Sequence, residues 1–436
     1  MKFPTGSKDF VHSLRASMRL IRCDSGADGY ACLQAQSPDE RRQIFTVIIQ
    51  DLLPPDINGG FLFGGLMNHN DFMEKALSLA EKGMGFVSPN PMVGAVIVRD
   101  GIIIGSGWHR KYGELHAERN AFADCDSRNI DCNGADMYVT LEPCCHYGKT
   151  PPCTEAIIEH GIKRVFIGSP DPNPLVAGKG AKILREHGIE VYEGILREEC
   201  DELNRIFFHF ITTGLPYVTM KYAMTIDGKI ACYTGESKWI TGEESRHDVQ
   251  IQRLRHSAIM VGVGTVLADD PMLNCRLENG RDPIRIICDS TLRTPLESNI
   301  VCTAESIPTI IATISEDEKC IREYEERGCR ILKTSSENGK VNLRELMTAL
   351  GKEKIDSILL EGGAEMNWSA LESGIVSSVL TYISPKIFGG KDAKSPVSGT
   401  GIPQPDGAFM LEKSSITYIG DDILIESRVK NVYGNS

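Results

Sequence analysis

One pattern constrains this chain more than any other: His116-Ala117-Glu118, an extended run Met137 to Leu141, then Pro143-Cys144, and finally Pro151-Pro152-Cys153. One imidazole and two thiolates drawn from separated points make a soft N/S set. It leaves one coordination position for water, which is the pattern of a catalytic zinc rather than a closed structural one. His116 and Glu118 open a helical pattern (Ala117, Ala121, Phe122), and Cys153 opens another (Ala156, Ile157, Ile158). These groups therefore sit at helix N-termini, where the dipole favours anions. Cys144 follows a strand stopped by Pro143. The fold has to bring one strand end and two helix starts to a point.

A lone His-x-Glu triplet carries almost no information, and a lone buried cysteine is usually a small core hydrophobe. The joint order is much more specific. Cys145 and His146 are competing donors; the set read here is His116, Cys144 and Cys153. Glu118, two residues from the ligand histidine, can shuttle a proton between water and a ring nitrogen without binding the metal, which is the chemistry of hydrolytic deamination.

At 436 residues the chain is too long for one ordinary core, and two domains of about 140 and 220 residues are the natural division. The expected boundaries are an extension at 1–69, a first domain at 70–213 and a second at 214–436, joined by the short turn Thr212-Thr213-Gly214-Leu215-Pro216. A net charge of -12 argues against a nucleic-acid surface, which needs clustered Lys and Arg. The 14 cysteines are scattered and follow no cleavable apolar segment, so reduced thiols in a cytoplasm are expected. No apolar run reaches the ~18 residues a membrane helix requires. Residues 1–69 match no pattern, and Met67 reads as a plausible start for the first domain.

From about residue 70 the chain alternates. A helix over 72–82 is expected behind a capping box, Asp71-x-x-Glu74. A hairpin comes next, 92–98 with 102–107, turned at Asp100-Gly101. Helices at 117–124, 153–160 and 179–187 and strands at 137–141 and 164–168 complete a mixed sheet sandwiched by helices. Beyond 216, strands at 217–222, 258–262, 284–288, 308–313, 329–333, 356–360 and 376–383 alternate with helices as a second α/β unit. No complete Gly-x-Gly-x-x-Gly follows its first strand. Gly362-Gly363 closes the strand Ile358 to Leu360 ahead of a helix and suits a cofactor phosphate.

Several motifs together resemble the bifunctional riboflavin-biosynthesis deaminase/reductases over about residues 70 to 430. In the first half they are Ser88-Pro89-Asn90-Pro91-Met92-Val93-Gly94, His116-Ala117-Glu118 and the Cys144 to Cys153 stretch. The second half contributes Lys221-Tyr222-Ala223-Met224-Thr225-Ile226-Asp227-Gly228-Lys229, Gly235-Glu236-Ser237-Lys238-Trp239, Gly264-Thr265-Val266-Leu267-Ala268-Asp269-Asp270-Pro271 and Leu360-Glu361-Gly362-Gly363. Eight residues separate Cys144 and Cys153, whereas nucleic-acid deaminases usually place two between their cysteines.

The resemblance implies a cytidine-deaminase-like three-layer domain followed by a dihydrofolate-reductase-like α/β domain, with Zn2+ and NADPH as cofactors. It implies a small phosphorylated pyrimidine as substrate, neither nucleic acid nor membrane as partner, and a homo-oligomer is expected. On the family pattern Asn90 contacts the deaminase substrate. Ala223, Trp239, Thr265, Asp269, Ser290 and the turn Gly363, Ala364, Glu365, Met366, Asn367, Trp368, Ser369 line the nicotinamide cofactor. Ser237, Arg253, Leu273, Arg276 and Glu361 face the reductase substrate, with Arg253 and Arg276 suited to its phosphate. Asp269 is the first candidate for the reductase's proton donor and Lys221 the second.

Overall fold

An asparagine starts the first helix of the computed structural model, which describes residues 67–148, 151–173, 176–430 and 432–434. Asn68 caps α1 (His69–Ala80): its side chain accepts the amides of Asn70 and Asp71, and the Asp71 carboxylate accepts the Asn68 amide at 2.8 Å. The capping box is thus Asn68/Asp71, one turn earlier than the expected Asp71/Glu74 pair, because Asn68 is the residue with extended backbone. The apolar patch at 44–53 and the rest of the extension to residue 66 lie outside the described residues.

The first sheet has the order β2-β1-β3-β4-β5. β1 (Gly94–Arg99) and β2 (Ile102–Trp108) form the expected hairpin, with Asp100 at φ 51 and Gly101 at φ 77 as a two-residue turn demands. β3 (Asp136–Leu141) is antiparallel to β1; β4 (Arg164–Ser169) and β5 (Glu190–Glu193) add in parallel. α2 (Ala117–Ser127), α3 (Cys153–Glu159) and α4 (Lys179–Glu186) cover one face through Ala121, Phe122, Ile157 and Leu184 against Ala95, Ile97, Met137 and Val139. On the other face α1 packs Phe72, Met73 and Ala76 on Val96, Val98, Tyr138 and Phe166. Alternate strand residues point to opposite helical layers, and this is the three-layer sandwich.

α5 (Arg197–Leu203) and α6 (Arg205–Thr213), which periodicity did not single out, lead to the second sheet. The chain turns at Gly214 (φ 71) and enters β6 (Tyr217–Thr225). The nine strands run β10-β9-β8-β7-β13-β6-β14-β16-β15. β7 (Ala258–Gly262), β8 (Ile284–Cys288), β9 (Thr309–Thr313), β10 (Cys329–Lys333) and β13 (Ser357–Leu360) pair in parallel with their neighbours, and β14 (Val376–Ser384) is parallel to β6. β15 (Leu411–Ile419) and β16 (Asp422–Val429) close one side antiparallel. β11 (Ser336–Glu337) and β12 (Lys340–Val341) are a separate small hairpin.

α7 (Glu243–Arg255) precedes β7, and α8 (Val263–Asp269) follows it. α9 (Asn299–Cys302), α10 (Glu318–Glu325), α11 (Leu343–Lys352) and α12 (Ala364–Glu372) complete the described α-helices of this half. Its main core joins Val218, Met260, Ile286, Ile310 and Ile358 to Leu346, Met347 and Leu350 of α11. No described helix is long and apolar enough to cross a membrane. The two sheets lie in one compact unit, and Arg205 pairs with Glu202 and Glu426 while Arg428 also reaches Glu202, tying α5 and α6 to β16.

Candidate active sites

His116 is the N-cap of α2, with extended backbone (φ -74, ψ 169). Its Nδ1 lies 3.4 Å from the Cys144 Sγ and 3.5 Å from the Cys153 Sγ. Cys144 follows β3, and its sulfur accepts the Cys153 amide at 3.3 Å, the first amide of α3. Among the described residues, these three are the cluster whose ligand atoms lie within 4.8 Å of one another. Cys145 and His146, the competing donors, fall outside it. Glu142 anchors the Cys144 loop: its carboxylate accepts the amides of Gly178 (2.9 Å) and Ala181 (3.1 Å) at the start of α4.

Glu118 stands in the first turn of α2, 3% exposed, with Oε2 lacking a hydrogen-bond partner. Burial pushes its carboxyl above the usual carboxylate range. The Cys144 thiol is lowered to about 4, first by the Cys153 thiol donating to it and then by His116, while Cys153 is pushed well above the thiol range by the same contact. Two sulfurs this close to one imidazole favour a single thiolate on their own; a dication among them stabilises both as anions. The N/S2 donor set and the carboxylate beside it, with one oxygen free of hydrogen bonds, fit zinc.

Asn90 lies on the turn before β1, its amide bonded to the Val87 carbonyl at 2.8 Å. Its Nδ2 donates to His109 Nε2 at 3.2 Å; the His109 ring, 2% exposed, lies edge-on to His116 with centroids 5.3 Å apart. Nδ1 of His109 donates to the Leu115 carbonyl at 3.0 Å, which leaves Nε2 as the acceptor, and burial lowers the pKa of the ring. Sequence reasoning missed His109, because a single histidine at a strand end carries no motif.

In the second half Arg253 forms a bidentate pair with Glu361 (2.8 and 3.0 Å) and donates to the Asn274 carbonyl at 2.8 Å. Burial opposes the Glu361 charge, yet Arg253 and Lys221 outweigh it and hold the carboxyl down to about 2; Arg276 contributes as well. Burial lowers Lys221, whose ammonium lies 5.8 Å from the Tyr382 ring centroid. Leu273 is buried (3% exposed) among Ile259, Val261 and Ile287, and so offers a ligand only its main chain. Ser237 is half-buried in the loop before α7.

Gly363 is the N-cap of α12, and a Cβ there would stand 3.4 Å from Thr265 Oγ1 on α8. The main chain is thereby open to an anion approaching the start of a nine-residue helix, a cradle that fits a cofactor phosphate. Ala364, Glu365 and Met366 form the first turn. Asn367 and Trp368 instead turn their side chains inward, to the Pro396 carbonyl (2.9 Å) and to Phe409. Ser369 accepts the Lys340 ammonium at 3.5 Å, and the Ser290 hydroxyl accepts the Val341 amide at 3.2 Å. Ala223 lies on β6, and Asp269 is exposed at the end of α8. Trp239 is 59% exposed, with the Arg246 guanidinium 4.8 Å over its ring.

Fold and sites together define a zinc deaminase of the cytidine-deaminase type joined to an α/β reductase. Residues 66–169 match the cytidine and deoxycytidylate deaminase zinc-binding region, and residues 216–425 match the RibD C-terminal domain. The chain is 56% identical over 360 residues to riboflavin biosynthesis protein RibD of Actinobacillus pleuropneumoniae, covering 83% of this chain and 95% of that one. It is 38% identical to the Escherichia coli protein of the same name, covering 82% and 99%. The structure of a diaminohydroxyphosphoribosylaminopyrimidine deaminase/5-amino-6-(5-phosphoribosylamino)uracil reductase from Thermotoga maritima superposes with a TM-score of 0.72 at 40% identity, covering 83% and 98%. That of Acinetobacter baumannii RibD gives 0.73 at 35% identity, with the same coverage.

The chain belongs to the RibD family of riboflavin biosynthesis. It is a bifunctional enzyme, a zinc-dependent deaminase followed by an NADPH-dependent pyrimidine reductase.

Proposed function

We propose that His116, Cys144 and Cys153 hold the zinc and that Glu118 carries the proton in the hydrolytic deamination of 2,5-diamino-6-(5-phosphoribosylamino)pyrimidin-4(3H)-one. The observation that carries this is the buried Glu118 carboxylate, in hydrogen-bond contact with the Cys153 thiol and with its Oε2 left without a partner beside the three ligand atoms. Zinc in that set activates water at neutral pH. Glu118 accepts one proton of the attacking water and delivers it to the ring nitrogen, then carries the remaining hydroxyl proton to the departing amine, so that ammonia leaves and a carbonyl remains. Asn90, held by His109, orients the pyrimidine.

In the second half Arg253, Arg276 and Glu361 bind the 5-amino-6-(5-phosphoribosylamino)uracil formed, and the backbone at the start of α12, with Ala223, Trp239, Thr265, Asp269 and Ser290, holds NADPH. The cofactor supplies hydride for reduction of the ribosyl chain to ribityl. Lys221, half-buried and coupled to the Glu361 charge, is better placed than exposed Asp269 to give the accompanying proton. Lys221→Met should therefore lose more kcat than Asp269→Asn.

The boundaries 70–213 and 214–436 are proposed, supported by the left-handed turn at Gly214. A homo-oligomer is supported by β15, an edge strand exposing Leu411, Ile416 and Tyr418. A reducing cytoplasm is supported by the twelve described cysteines, none of which forms a disulfide. The deciding experiment is incubation with the diaminopyrimidine substrate with and without NADPH, identifying products by mass, alongside Glu118→Gln. Full zinc with ammonia release lost in that variant is expected. Release near the wild-type rate would overturn the assignment.

A further inference from the structure

The segment Gly83 to Met92, which carries Asn90, is held by the Tyr112 amide donating to the Phe86 carbonyl at 3.0 Å and at three further points. Asn204, at the junction of α5 and α6, holds Met92 by both main-chain groups, accepting its amide and donating to its carbonyl, each at 2.8 Å. At Gly83 a Cβ would lie 2.6 Å from the His109 carbonyl, so that end is pressed on the strand end beside the zinc ligands. The third point comes from the reductase half. Arg281, just ahead of β8, donates Nε to the Gly85 carbonyl at 2.7 Å and Nη2 to the His256 carbonyl at 3.1 Å. Gly85 (φ 79) lies against Leu254 of α7: a Cβ would come 2.5 Å from the Leu254 Cδ1 and 2.7 Å from its carbonyl oxygen.

Between these points Val87 is buried, but the packing behind the segment is incomplete. A cavity lies behind it, lined by Val87, Asn90 and Met92 on one side and by Asn204, Phe207 and Arg255 on the other. Where packing is missing, little but hydrogen bonds opposes a shift of the backbone. The guanidinium is suited to fixing two carbonyls at once, because its N–H donors form a rigid fork.

We infer that Arg281, a residue of the reductase half, positions the substrate loop of the deaminase half. The inference rests on the reading of Asn90 as a substrate contact. The described hydrogen-bond partners of Arg281 are the main-chain carbonyls of Gly85, Asp282 and His256, none of them in the metal group. It acts through Gly85 on the register of Asn90 against His109 and His116.

The test uses the full-length zinc enzyme. In Arg281→Ala the KM for deamination should rise roughly tenfold, since the loop orients substrate, with kcat changed much less. Zinc content should remain full, and reduction of supplied deaminated intermediate should stay near wild type. Millimolar guanidinium should restore much of the KM. Arg281→Lys, whose single ammonium reaches one carbonyl but does not bridge two, should fall between, and it replaces the alanine variant if that one does not fold.

Three results would overturn the inference. If KM is unchanged in Arg281→Ala while Asn90→Ala raises it, the arginine does not position the loop and the Asn90 reading stands. If Asn90→Ala is also without effect, the Asn90 reading fails and the inference with it. If zinc, deamination and reduction all decline together in both arginine variants, the side chain serves general stability only.

Discussion

Gly107→Ala should disable the deaminase by moving one helix. Gly107 lies on β2 beneath α2, and an added Cβ would stand 2.3 Å from the Ala121 amide nitrogen and 2.5 Å from the Ala117 carbonyl oxygen. Both are backbone atoms, so no side-chain rotation relieves the clash. Restoring ordinary contact, which begins at 3.4 Å, requires α2 to retreat by about 1 Å. That helix carries Glu118 in its first turn and His116 as its cap. Overpacking of this kind costs about 1–3 kcal/mol of stability, which a chain of this size tolerates. A misplacement of about 1 Å in a catalytic group costs on the order of 100-fold in rate. We expect deamination to fall by about 10–100-fold, while reduction of supplied deaminated intermediate stays within about twofold, because the second sheet is not touched. Ammonia release and NADPH absorbance, followed on one folded preparation with its zinc content measured, read both halves. Wild-type ammonia release in that preparation would refute the link between helix seating and proton transfer.

Zinc should persist in Cys145→Ser and be lost or much weakened in Cys153→Ser, as metal analysis of the purified variants will show; the reverse pattern would reassign the ligand. Gly363→Val puts a branched side chain at the start of α12, so reduction should stop while ammonia release continues. If ammonia release also disappears in folded Gly363→Val, the halves are coupled through that helix. His256 is fully buried, its Nδ1 bonded to the Gln252 carbonyl and its Nε2 to the Thr219 hydroxyl, and burial lowers its pKa to about 3. It stays neutral in the fold while the unfolded chain binds a proton below about 6.5. Stability should therefore be lost as pH falls from about 6.5 toward 3, by about 2 kcal/mol at pH 5. A urea midpoint equal at pH 5 and pH 7 would contradict this.

The metal group was legible because each member lies where an element begins or ends, and such points carry local signals: a proline before α3, an extended stretch before Cys144, a helical pattern after His116. The Asp100-Gly101 hairpin was legible for the same reason. β5 and β15 were not. β5 is a run of only four residues, Glu190 to Glu193, with no fully buried side chain, and β15 is exposed along its length, so neither has a buried face to impose alternation. In the reductase half the order of motifs located the region but not the direction of each side chain. Asn367, Trp368 and Leu273 face inward because helix phase and a left-handed backbone at Leu273 (φ 50) turn them there. The Arg281 contact joins a guanidinium to a main-chain carbonyl 196 residues away, and no residue pattern encodes a carbonyl.

The strand order of the second sheet also dictates when it can form during synthesis. β6 and β7 lie on either side of β13, yet β13 ends at Leu360 and β14, the other neighbour of β6, at Ser384. Until those residues leave the ribosome, two apolar strands flank an unfilled gap, each with an open ladder of amides and carbonyls. The central strand β13 arrives after both of the strands it joins, so the slow, long-range closure expected of such pairing waits until late in translation. A chain cut anywhere between β7 and β13 therefore lacks its central strand, and its exposed edges favour intermolecular pairing over a stable half-sheet.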